Sequence, residues 1–160
     1  MKKTHLLNIA LVIISMVTIF LFSSENASSS KDTSKKVVKE VVSMVIKDDS
    51  KVEKVEKKID DNLTIVRKCA HIVEYFILGF LLINLIKDYK KLSWKFIILG
   101  IILCLLYACT DEFHQIYISG RTPKILDVGI DTFGAFLGTI TYYLIYRKYE
   151  NKIDNKKELA

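Results

Sequence analysis

Cysteine is scarce and poorly placed for chemistry: Cys69, Cys104 and Cys109 form neither a disulfide framework nor a metal-ligand spacing, so they leave the redox compartment open. The sequence also lacks an H-E-x-x-H zinc signature, a nucleophile elbow and a glycine-rich phosphate loop, and with them the usual marks of catalysis. Charge is nearly missing from four stretches, Leu6 to Phe22, Ala70 to Ile86, Phe96 to Ala108 and Ile125 to Tyr146, whereas 20 charged residues crowd between Ser23 and Lys68. With 51% hydrophobic residues in 160, disorder of the whole chain is excluded. The net charge of +6 is spread over loops and tails as membrane-flanking lysines and builds no basic face, so no nucleic-acid partner is expected.

What is present is hydrophobic length. Crossing about 30 Å of hydrocarbon takes roughly 20 apolar helical residues. The first, second and fourth stretches meet this, and the third does so by running through Tyr107 to Thr110 and ending on Asp111 and Glu112. The expectation is an all-α integral membrane protein of four transmembrane helices plus an extramembrane amphipathic helix. Residues 1-23 form an N-terminal transmembrane anchor; a signal peptide is the alternative, because Lys2 and Lys3 precede the apolar run and small residues follow it. Lys87, Lys90, Lys91 and Lys95 mark the loop between helices two and three as cytoplasmic, with both termini on that side and residues 147-160 as a basic cytoplasmic tail. The long loop after helix one argues the other way with nine lysines, but nine acids match them and long loops weigh little in this rule.

Residues 24-66 have their own pattern. The polar stretch from Ser23 to Ser34 reads as a flexible linker, and Val38, Val45, Val52, Ile59 and Val66 then recur every seven residues, with Val41 and Val55 between them. Asp48 breaks the second seam. An amphipathic helix on the bilayer or against the bundle is the first reading; self-association into a homo-oligomer through residues 37-66 is the second, and disorder the third.

Five acids, Glu74, Asp111, Glu112, Asp127 and Asp131, lie inside or at the mouths of apolar segments, where ionisable groups are costly unless paired or hydrated. Consecutive helices bring the start of helix two, the end of three and the start of four to one side of the membrane. Arg67, Lys68, His71, Glu74 and Tyr75 thus join Asp111, Glu112, His114 and Gln115, and Arg121, Asp127 and Asp131. Helical spacing puts Arg67, His71, Glu74 or Tyr75, and Leu78 on one face. Thr122 is the expected N-cap of helix four, with Pro123 at its first position. Asp127, Asp131, Gly134 and Gly138 then run down one side, Asp131 about 6 Å deeper than Asp127. The G-x-x-x-G pair Gly134 and Gly138 is read as helix packing. Trp94 and the tyrosines at 142, 143, 146 and 149 suit interfacial anchoring.

Three readings of the cluster stand side by side. Arg67, Lys68 and Arg121 suit an anionic headgroup, with the carboxylates and histidines positioning the rest of a lipid-linked molecule. His71, Glu74, Asp111, Glu112, His114, Asp127 and Asp131 are the candidates for acid, base or divalent-metal chemistry at a phosphate; a metal is not favoured, since no ligand spacing is matched. The third reading is a structural ion-pair network in which Arg67 and Arg121 satisfy Asp127 and Asp131. A binding or structural role is favoured over an enzyme.

Three motifs in order carry a resemblance: Arg67-Lys68-x-Ala70-His71-x-x-Glu74-Tyr75, then Asp111-Glu112-x-His114-Gln115, then Gly120-Arg121 with Asp127-Val128-x-x-Asp131-Thr132-x-Gly134-x-x-x-Gly138. Residues 67-146 resemble the VanZ-like family of bacterial membrane proteins as a three-helix membrane domain. Ser119 stands where such proteins often have proline and Pro123 where a small residue is usual; both departures touch the loop and spare the charged set. The Ser23 to Val66 segment lies outside the resemblance. The resemblance implies a Gram-positive cell-envelope protein associated with tolerance to the glycopeptide teicoplanin, with membrane lipid, a cell-wall precursor or the glycopeptide as partner. It implies no catalytic residue.

Overall fold

The computed structural model describes residues 3–45, 63–89 and 91–158; the heptad positions Val52, Val55 and Ile59, and most of the segment read as self-associating, lie outside the described residues. Among the described residues there are five helices and no strand: α1 (Lys3–Ser23), α2 (Ala27–Val45), α3 (Leu63–Lys87), α4 (Trp94–Gln115) and α5 (Ile125–Glu158). Lys3–Ser23, Leu63–Lys87, Trp94–Gln115 and Ile125–Lys152 are each long and apolar enough to span a bilayer. The protein is an all-α, multi-pass membrane protein.

α3 sits at the centre, packed on α5 most extensively and also on α1, α4 and α2. Small residues set the α3–α5 distance: a Cβ at Gly134 would meet the backbone of Ile72, and one at Gly138 the backbone of Phe76. Gly79 on α3 faces Ala135 in the same manner. In lipid, where apolar faces gain little by meeting each other, such close backbone approach is what holds two helices together. The core around this seam contains Tyr75, Leu78, Cys104, Ala108 and Ala135, and Val12 and Ile19 of α1 join it. α1 is therefore a member of a four-helix bundle, beyond the anchor expected from its sequence. Tyr107 Oη donates to the Met16 carbonyl at 2.6 Å and ties α1 to α4. Outward-pointing Leu6, Ile13, Ile98, Leu106 and Phe133 present the apolar surface that lipid requires.

Three element boundaries differ from the sequence reading. The stretch read as a flexible linker is helical from Ala27, because the Asn26 side chain caps it: Oδ1 accepts from the Ser29 N–H at 2.9 Å and the Ser28 hydroxyl at 2.7 Å. α5 begins at Ile125 instead of at Pro123; Lys124 precedes it, with its carbonyl accepting from the Asp127 N–H at 2.8 Å. At the far end α5 continues past Tyr146 to Glu158, since neither glycine nor proline interrupts a run of good helix formers.

The end of the bundle holding the α3–α4 turn carries a polar network unanticipated from sequence. Asn8 donates to Asp88 at 2.7 Å, Asn84 to Asn8 at 3.1 Å and Tyr142 to Asn84 at 2.7 Å. His5 lies 3.4 Å from Asp88 and 2.5 Å from the Tyr89 hydroxyl. The Asn8 hydrogen bond holds the Asp88 carboxyl below its ordinary range.

Candidate functional site

At the opposite end the chain order forces the start of α3, the end of α4 and the start of α5 together. They enclose a cleft whose cavity is about 20 Å³, room for one water-sized sphere. Arg67, Lys68 and His71 line it from α3, Glu112 and Gln115 from α4, and Asp127, Ile130 and Asp131 from α5. The helical register explains the selection. His71 lies one turn below Arg67, and Asp131 one turn below Asp127, so the charged residues descend in two parallel steps.

Its floor is buried. Asp131 and Asp111 are each 3% exposed and His71 9%. His71 Nδ1 stands 3.9 Å from Asp131 Oδ1 and 3.7 Å from Glu74 Oε2. Asp111 lies directly behind the cleft, its Oδ2 accepting from the Ser23 hydroxyl at 2.7 Å and from Gln115 Nε2 at 3.2 Å. His71, Asp111 and Asp131 each turn one ligand-competent atom to within 4.8 Å of the others. Their sequence spacing matches no metal signature because each comes from a different helix.

The rim is held by backbone contacts as much as by ion pairs. Lys68 pairs with Asp127. Glu112 Oε1 accepts the Lys124 N–H at 2.5 Å, fixing the entry to α5. Arg121 binds the Glu25 carbonyl through Nε at 2.9 Å, the Phe22 carbonyl through Nη2 at 3.0 Å and Gln115 Oε1 through Nη1 at 3.3 Å. Burial, and then the Arg67 charge nearby, lower the Arg121 pKa. The guanidinium stays cationic, as arginine does in proteins. The loop that delivers Arg121 turns on Gly120 at φ 76°, in the left-handed region that favours glycine.

These partners differ from the expected network of Arg67 and Arg121 with Asp127 and Asp131. Lysine takes Asp127, and Arg121 spends its donors on carbonyls exposed where α1 ends. Arg67 is half-buried and has no carboxylate partner among the described residues. Five expected site residues do not line the cleft: Asp111 lies behind it, Arg121 stands at its rim, and three others are placed elsewhere. Tyr75 is fully buried in the core, with its ring 6.2 Å from that of Tyr107. Glu74 borders an apolar groove beside Leu11, Ile14 and Ile19 of α1. His114 turns its ring onto Phe20 at 4.5 Å. Ser23 escaped sequence reading, because nothing in an isolated serine at a helix end shows which carboxylate it will meet.

Among known proteins, a model of one family, described as VanZ/LLP1, matches residues 8–146. The matched span starts inside α1, so it reaches well beyond the motif-bearing block from Arg67 and takes in the Ser23 to Val66 segment that sequence reading placed outside. No curated protein and no solved structure matches the chain.

Proposed function

The chain belongs to the VanZ/LLP1 family, and from that membership and the cleft we propose that this VanZ-like membrane protein binds the anionic headgroup of a lipid-linked molecule at the cell envelope. The observation that carries the reading is Arg67. Among the described residues this half-buried guanidinium has no carboxylate partner, and it lies close enough to Arg121 to disfavour that residue's charge, so its donors are left for an anion at the mouth. The cavity below is too small for a phosphate, so the headgroup sits at the mouth between Arg67 and Lys68, with its lipid tail along the apolar outer surface of α3 and α5. Short-loop lysine counts support an outward-facing cleft, where cell-wall precursors and the lipid tail of teicoplanin are both found. The function that follows is a contribution to glycopeptide tolerance.

The test is teicoplanin susceptibility of a Gram-positive host expressing the wild type, Arg67→Gln, Arg67→Lys, His71→Ala and Asp111→Asn at matched membrane levels. Protection by the wild type that Arg67→Gln loses supports the reading. Equal susceptibility with and without the wild type overturns the tolerance role.

A second reading, hydrolysis or transfer at a lipid-linked phosphate, is favoured by the convergence of His71, Asp111 and Asp131 beneath that mouth. Turnover of a phosphorylated lipid by purified protein, abolished in Asp111→Asn, would select it over binding alone.

A further inference from the structure

We propose that His71, Asp111 and Asp131 bind a divalent cation of the manganese or zinc class at the floor of the cleft, where it completes the anion site above it. The proposal rests on the headgroup reading for the role of the ion but not for its binding.

Three helices contribute one residue each. His71 comes from α3, Asp111 from α4 and Asp131 from α5, and one donor atom from each lies within 4.8 Å of the other two. A cation held at about 2.1 Å from nitrogen and oxygen donors needs donor separations of about 3–4 Å, which small rotations of these side chains supply. One imidazole with two carboxylates is a mixed set that suits Mn²⁺ and Zn²⁺ better than the all-oxygen shells of Ca²⁺.

Two independent observations point to an occupant. Asp111 is 3% exposed, and although Oδ2 takes hydrogen bonds from Ser23 and Gln115, its buried Oδ1 has no hydrogen-bond partner. His71 Nδ1 is likewise buried without one, as is Glu74 Oε2 3.7 Å away. Buried polar atoms are nearly always satisfied, so these orphans, two of them 3.7 Å apart, require an explanation. Charge gives the second argument. Around the cleft the carboxylates of Asp111, Glu112, Asp127 and Asp131 outnumber the cations Arg67, Lys68 and Arg121 by one. A divalent cation bound at the floor would reverse that excess and offer an open coordination position to a phosphate oxygen held by Arg67 at the mouth. The cavity of about 20 Å³ has room for one ion or one water-sized ligand. Ser23 and Gln115, by fixing one oxygen of Asp111, orient the other toward the ion.

The experiment uses the full chain, freed of metal by chelation and placed in nanodiscs of neutral lipid. Mn²⁺ is titrated in while the free-ion paramagnetic resonance signal is followed, and Zn²⁺ competes in a parallel series. The expected result is one Mn²⁺ per chain, displaced by Zn²⁺, with nitrogen coupling from an imidazole in the bound spectrum. Asp111→Asn and Asp131→Asn should each weaken binding at least tenfold, and His71→Gln should remove the nitrogen coupling. His5→Gln, at the other end of the bundle, should leave it intact. The coupling is read on the wild type, so the proposal stands or falls even where an Asp variant fails to fold. Folded wild type that binds neither ion stoichiometrically overturns it, as does coupling that survives His71→Gln. Arg67→Gln separates the two readings: it should keep Mn²⁺ while losing affinity for vesicles carrying a phosphorylated isoprenoid lipid. Mn²⁺ binding without any wild-type preference for those vesicles would sink the headgroup role and leave the ion site in place.

Discussion

Ser23, the last residue of α1, donates a 2.7 Å hydrogen bond to Asp111 on α4, 88 positions later in the chain, and neither residue has significant contact with solvent. The bond makes the first helix a structural part of the site. With the Arg121 guanidinium gripping the Phe22 and Glu25 carbonyls, it closes the end of α1 over the back of the cleft. Free carbonyls at a helix C-terminus are acceptors in want of donors, and an arginine fork is well shaped to supply them.

Ser23→Ala should therefore destabilise the bundle by about 1–2 kcal/mol, the scale of side-chain hydrogen bonds between membrane helices. Thermal unfolding in detergent of Ser23→Ala, Asp111→Ala and the double variant forms the check. The two changes should be non-additive, because the second removes a bond already lost. Strict additivity would mean that the hydroxyl and the carboxylate do not interact in the folded protein.

The glycines of α5 give a contrast within one helix. At Gly138 a methyl group would run into the Phe76 backbone, which cannot swing aside as a side chain could, whereas at Gly129 nothing lies within 4 Å. Gly138→Ala should cost about 1–3 kcal/mol through forced separation of α3 and α5. Gly129→Ala should be neutral or stabilise by up to about 1 kcal/mol through helix propensity. Membrane yield and unfolding temperature in detergent read both, and equal effects at the two positions would refute the close α3–α5 contact.

Much of this arrangement was legible in the sequence, and the reasons are physical. Hydrophobic length is a local property, so four spans could be counted, and consecutive spans alternate direction, so the convergence of residues near 67, 111 and 127 followed from connectivity alone. Register was legible too: Gly134 and Gly138 sit one turn apart and meet α3 as a pair. Partner choice was not legible. Lys68 and Arg67 are adjacent in sequence, about 100° apart around the helix, and only the placement of α5 decides which one reaches Asp127. The Asn8, Asn84 and Asp88 network was invisible because single polar residues inside apolar runs carry no pattern of their own. The early start of α2 was hidden in a serine-rich composition that reads as linker, although Asn26 was there to cap it.

At that other end, acid should loosen the bundle late. The carboxyl of Asp88 titrates below its ordinary value, mainly because Asn8 donates to its charged form. A group whose folded pKa is depressed contributes stability that is complete above the unfolded value, near 3.9, and is lost as pH falls through the folded value. Unfolding temperature should thus be insensitive to Asp88 above about pH 5 and fall below about pH 4 more steeply for the wild type than for Asp88→Asn. The effect should be well under about 1 kcal/mol, since the pair lies close to solvent. Identical acid slopes in the two proteins would rule out this linkage.

The side on which the cleft opens is decided by a single labelling experiment. Ser119 is exposed in the α4–α5 loop beside Arg121, and Asn151 is exposed near the opposite end of α5. The 31 residues between them include enough helix at 1.5 Å per residue to cross the bilayer, so the two positions must report opposite faces. Of the native cysteines, Cys69 and Cys109 are exposed and Cys104 is buried, so all three are replaced before Ser119→Cys or Asn151→Cys is introduced. An impermeant maleimide applied to intact cells should label the first variant at once and the second only after permeabilisation. This pattern follows from Lys87, Lys91 and Lys95 holding the α3–α4 turn in the cytoplasm against a cleft-side loop with only Arg121 and Lys124. The reverse pattern would turn the cleft toward the cytoplasm. A headgroup bound there would have to be recognised before its carrier lipid crosses the membrane, and direct capture of an extracellular glycopeptide would be excluded.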